Sequence, residues 1–95
     1  MVFVMICLLE ARSDSAEEVK TRLLRDATSF RKDPETIEWS IQQDVENPNK
    51  FCIVERYERE ESEKLYHQNN PDFKPLIQFL SDHIVKPFEL KTFTV

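Results

Sequence analysis

Residues Val2–Leu9 read VFVMICLL, a run without one polar side chain. A strand sends alternate side chains to opposite faces, so an unbroken apolar run means that both faces are sheltered from water. Helices can cover one face. The other needs a second sheet, and a chain of 95 residues is too short to hold one. The opening strand therefore predicts a sheet that packs against a second copy of itself, in a homodimer.

The elements after it follow from periodicity. Ser15 and Glu18 have the spacing of a capping box, and Asp14, Glu17 and Glu18 suit the positive end of a helix. Ala16, Val19, Leu23, Ala27 and Phe30 then recur as one buried stripe, and Asp33-Pro34 is the expected stop. TIEWSIQQD, from Thr36, alternates with Ile37, Trp39 and Ile41 on one side, the pattern of a half-buried strand. VENPNK turns the chain with Asn and Pro. FCIVERY, Phe51–Tyr57, is a third strand that puts Phe51, Ile53, Glu55 and Tyr57 on one face.

The charges from Glu58 to Glu63 read as the solvated first turn of a second helix through Leu65 and His67, broken near Asn69-Asn70-Pro71. It resumes from Asp72, an expected cap, with Phe73, Leu76, Ile77, Leu80 and Ile84 as its core stripe. FELKTFTV closes the chain as a fourth strand. Strand-helix-strand-strand-helix-strand is the ferredoxin-like split βαβ pattern. It predicts an α+β fold in which a four-stranded antiparallel sheet carries both helices on one face, with residues 1–95 as one domain.

Composition narrows the function. The formal charge is −5, with 13 basic residues scattered among 18 acidic ones, which argues against nucleic acid. The apolar opening run is too short to span a bilayer and lacks the flanks of a leader, so a cytoplasmic protein without membrane contact is expected. Cys7 and Cys52 read as buried thiols, and the two histidines have no metal-ligand spacing. There is no glycine. Walker loops, G-x-G-x-x-G turns and G-x-S-x-G elbows all need it, so no nucleotide cofactor is expected by those routes.

FCIVERYEREE followed by YHQNNPDF resembles the antibiotic-biosynthesis monooxygenase family of dimeric α/β barrels. Val54, Glu55 and Tyr57 match a Val-Glu-x-Trp strand end, with Tyr57 in place of Trp. His67 matches the family's helix histidine. Asn70, Pro71, Asp72 and Phe73 stand at its Ser-Pro-His-Phe-like corner, where Asp72 replaces a second His. RKDPETIEWSI matches a Glu-Pro-Gly segment followed by a strand, with the Gly missing. Haem degradation does not fit, because strand one has no Asn and Ile77 stands four residues after Phe73.

The resemblance implies a cofactor-independent monooxygenase that oxidises an electron-rich aromatic, such as a hydroquinone or polyphenol, with O2. The alternative is a non-catalytic barrel that binds a hydrophobic small molecule or acts in stress response. On the first reading His67 is the base and Tyr57 bonds a substrate oxygen, while Trp39, Ile53, Glu55 and Phe73 line the substrate site. Each residue has a structural rival. His67 also reads as a surface or capping residue, and Trp39 and Tyr57 as core. Glu55 reads as a structural carboxylate paired with a Lys or Arg, and His83 as a complement to a helix dipole.

Overall fold

The computed structural model describes residues 1–95. Its order is β1 (Phe3–Glu10), α1 (Ala16–Phe30), β2 (Thr36–Gln43), β3 (Lys50–Tyr57), α2 (Glu60–Ser62), a π-helical turn (Glu63–His67), α3 (Phe73–His83) and β4 (Glu89–Thr94). The strands form one antiparallel sheet in the order β2-β3-β1-β4. This is the expected ferredoxin-like α+β topology. No helix is long and apolar enough to cross a membrane.

The core lies between one face of the sheet and the helices. Val19, Leu23, Ala27 and Phe30 of α1 meet Leu76 and Leu80 of α3 over Cys7, Leu9, Trp39, Phe51 and Ile53. Val19, Leu23, Ala27 and Phe30 exclude water completely, as the periodic stripe predicts. On the opposite face of β1, Val4 is buried, Ile6 is partly covered and Leu8 is 40% exposed. Phe93 of β4, on the same face, is 50% exposed. Within one chain, the apolar opening strand is thus sheltered fully on its helix side alone.

Several local expectations fail for identifiable reasons. The capping box does not form: Ser15 Oγ donates to Asp14 Oδ1, and Glu18 reaches His83 instead, at 3.0 Å. Asp72 makes no side-chain cap; its own N–H donates to Asn70 Oδ1. Helix α1 ends at Phe30, before Asp33, because its tail tightens into i→i−3 bonds from Lys32 and Asp33. A register shift between Thr36 and Glu38 breaks the alternation of β2, leaving Ile37 54% exposed while Trp39 is buried. Glu63, read as part of a solvated charge run, is buried.

The absence of glycine is resolved at one turn. Glu35 follows Pro34 with φ of 60°, the left-handed conformation that glycine enters without a steric cost. Its carboxylate offsets that cost by accepting from Ser62 Oγ at 2.6 Å and Arg59 Nε at 3.0 Å, which ties the α1–β2 turn to the start of α2. Two substitutions separate backbone from side chain. Both Glu35→Gly and Glu35→Ala lose the tie, but only Ala keeps a Cβ that crowds the left-handed turn. In thermal denaturation the Ala variant is expected to melt roughly 5 °C below the Gly variant. Equal melting temperatures would show that the turn carries no backbone cost.

Candidate active site

Glu55 lies on the helix face of β3, paired across the sheet with Met5 on β1 and Trp39 on β2. Tyr57, two residues on, shares that face, and its hydroxyl donates to Glu55 Oε1 at 2.5 Å. His67 comes from the other layer, at the end of the π-helical turn, where Gln68 N–H reaches back five residues to Glu63 O. The extra residue in that turn rotates the side chains beyond it, a common use of π geometry at functional sites. His67 Nε2 comes to rest 3.5 Å from Glu55 Oε1.

His67 is only 4% exposed, so the surface-histidine reading is excluded. Phe30 and Phe73 meet its ring edge-on at centroid distances of 4.6 and 5.0 Å. Tyr57 and Trp39 stand at 6.0 and 6.1 Å. Asn70 fixes the next corner of the chain. Its amide donates to Asp33 Oδ1 at 2.8 Å and to Ser29 Oγ at 3.1 Å, which ties the corner to the end of α1. That tie sets Asp33 Oδ2 at 3.9 Å from His67 Nδ1, and neither atom has a hydrogen-bond partner.

Burial then sets the charges. Losing water disfavours the imidazolium and pushes the His67 pKa down to about 4. The same loss pushes Glu55 up to about 7, opposed by the Tyr57 hydrogen bond and assisted by the nearby Glu63 charge. The Trp39 indole N–H also favours the Glu55 anion, without closing a hydrogen bond onto it. The expected Lys or Arg partner of Glu55 is not there; its partners are Tyr57 and His67. Burial, with Glu55 and Cys52 nearby, raises Cys7 to about 12, which keeps it a thiol rather than a nucleophilic thiolate.

These groups border a cavity of about 120 Å³ between the sheet and the helices. Trp39, Ile53, Glu55, His67 and Phe73 all line it, and Tyr57 stands behind Glu55 instead of on the wall. Glu63 and Gln68 also line it, and sequence reading missed both. Gln68 Nε2 donates to both carboxylate oxygens of Glu63, at 2.8 and 2.9 Å. Spacing was the available signal, because residues four apart share a helix face and burying His67 brings Glu63 in with it. His83 lies elsewhere, donating Nδ1–H to Phe79 O in the last turn of α3 while Nε2 reaches Glu18. A more open hollow of about 290 Å³ borders Lys86 and Pro87, but its Asp44, Lys50, Lys86 and Glu89 are all exposed.

Glu55 and His67 act on stability with opposite sign. His67, depressed from 6.5 to about 4, contributes stability above 6.5 that is lost as the pH falls. Glu55, raised from 4.5 to about 7, contributes stability below 4.5 that is lost as the pH rises through about 7. Between 4.5 and 6.5 the pair holds one proton whether folded or unfolded, so the two effects cancel. Removing either partner unmasks the other. Relative to the parent chain, Glu55→Gln should lose up to about 1.4 kcal/mol per pH unit on acidification from pH 6.5 to 5, while His67→Phe should lose stability in the opposite direction. Denaturant titrations across that range measure both slopes, and parallel slopes would contradict the assignment.

Comparison with known proteins places the chain in a known family. The family model described as antibiotic biosynthesis monooxygenase matches residues 1–78, a span that includes β3 and His67. No curated protein matches the chain. A Nitrosomonas europaea protein named for the same family superposes with a TM-score of 0.93 at 16% identity, over 99% of this chain and 89% of its own. One from Deinococcus radiodurans, similarly named, gives 0.89 at 18% identity over 100% and 92%. A mutant of SnoaB, a cofactor-independent oxygenase from Streptomyces nogalater, gives 0.85 at 14% identity over 99% and 92%. Identities this low establish the fold alone. The match to the family model goes further, and by it the chain belongs to the antibiotic biosynthesis monooxygenase family.

Proposed function

We propose that this chain, as one domain of residues 1–95, is a cofactor-independent monooxygenase for an electron-rich aromatic such as a hydroquinone or polyphenol. One observation carries the reading: Glu55 and His67 face each other at 3.5 Å on the wall of an otherwise largely apolar cavity, with no cation on that wall to neutralise the carboxylate. A carboxylate held near neutral pH is matched to taking a proton from a phenol, and His67 shares the proton it takes. Glu55 thereby assumes the larger share of the base role first assigned to His67 alone. Tyr57 serves as a positioning residue that orients Glu55.

The chemistry balances without a further reductant. Deprotonated hydroquinone passes one electron to O2, and the resulting radical pair joins through a ring carbon–oxygen bond to give a hydroperoxide. Cleavage of the O–O bond leaves one oxygen on the ring as a hydroxyquinone and releases the other as water. The ring supplies all the electrons. What the protein supplies is a base, a dry cavity and a fixed orientation. The relation to SnoaB, itself a cofactor-independent oxygenase, supports this class.

The active form is taken to be a homodimer. Leu8 of β1 and Phe93 of β4 are exposed on the face away from the helices, beside Val4 and Ile6, and a second sheet would cover them. Sedimentation equilibrium at micromolar concentration should give twice the 11.4 kDa chain mass; a stable monomer would contradict the dimer.

Oxygen uptake with a panel of hydroquinones and polyphenols tests the chemistry. Turnover is expected to rise with pH through about 7, as Glu55 loses its proton. Glu55→Gln and His67→Ala should each lower kcat/KM about 100-fold or more, and Tyr57→Phe less. Binding across the panel with no oxygen uptake would favour the non-catalytic barrel instead.

A further inference from the structure

We propose that the cavity is selective by size and charge, accepting an uncharged single-ring phenol or hydroquinone and rejecting both ring carboxylates and fused-ring compounds. This rests on the oxygenase reading for the identity of the site, but not on turnover. Size comes first. At about 120 Å³ the cavity is smaller than the engineered apolar cavity of about 150 Å³ that admits one benzene ring, so a single ring is the upper limit of what it can enclose. Its walls are Met5 and Cys7 from β1 and Leu76, Ile77 and Leu80 from α3, with Phe73 at the corner. Leu76 and Leu80 also belong to the main core, so widening the cavity for a second fused ring means displacing packed side chains.

Charge gives the second criterion. Glu55 and Glu63 both stand on the wall, each about 5% exposed, and no Lys or Arg lines the cavity. Asp33 adds a third carboxyl group behind His67. The amide nitrogen of Gln68, the other polar group on the wall, is already committed to Glu63. An anionic ligand would therefore be buried beside carboxylates with nothing to pair it, a strongly unfavourable arrangement. A neutral hydroxyl faces no such penalty. It can donate to Glu55 or His67 at the edge where they meet.

Trp39 lines the cavity and is the one tryptophan of the chain, so its fluorescence reports occupancy directly. Without oxygen, hydroquinone and phenol should perturb that emission saturably, while 4-hydroxybenzoate and 1,4-dihydroxynaphthalene bind at least tenfold more weakly. Glu63→Gln, which keeps the side-chain shape and removes one charge, should narrow the gap between hydroquinone and 4-hydroxybenzoate affinity at least tenfold. The proposal is overturned if the carboxylate or the fused ring binds as well as hydroquinone, if Glu63→Gln leaves discrimination unchanged, or if no single-ring compound binds. Selective anaerobic binding without oxygen uptake would sink the oxygenase reading and leave this one standing. Turnover of fused rings without single-ring binding would do the reverse.

Discussion

Glu55 is buried on the helix face of β3 with no Lys or Arg against it, and the cost of that burial governs the site. A charged carboxylate in an apolar cavity is far less stable than one in water, so the group holds its proton to a higher pH. His67 meets the same constraint with the opposite charge sign and stays neutral. The two come together at 3.5 Å with their proton affinities pushed in opposite directions by the same loss of water. From neutral residues and one shared proton, the fold builds a group able to accept a proton near pH 7.

The rest of the structure holds that pair in place. Glu55 is fixed by its position on β3 and by the Tyr57 hydroxyl. His67 depends on three separate devices. The π-helical turn sets its direction, Asn70 ties the next corner to Ser29 and Asp33, and Glu35 anchors the start of α2 through Ser62 and Arg59. Phe30 and Phe73 then close on the ring edge-on. The aromatic contacts both locate the imidazole and keep water from it, so packing and electrostatics at this site have one cause.

The fold was legible because its elements each carried a local signal. The apolar run of β1, the stripe of α1 and the alternation of β3 depend on neighbours in sequence, and all three appear where expected. The site was legible in part. Facing positions on β3 placed Glu55 and Tyr57 together, and the family resemblance directed attention to His67. Periodicity did not show that Glu55 would lack a cation, because that depends on which residues the helix layer brings over β3. Nor did it show the burial of Glu63 directly, since a run of charges looks solvated and the spacing of Glu63 to His67 signals burial only once His67 is known to be buried. The two failed caps have the same origin: Glu18 and Asp72 found partners distant in sequence or in an adjacent corner, which local rules do not foresee.

The protonation of Glu55 is the point on which the account stands. Infrared difference spectra, recorded between pH 5 and 8, read it directly through the carboxylic-acid C=O stretch. A buried acid band should persist at pH 6, fade with a midpoint near 7 and be missing from Glu55→Gln. A spectrum in which every carboxyl group is ionised by pH 6 would contradict it.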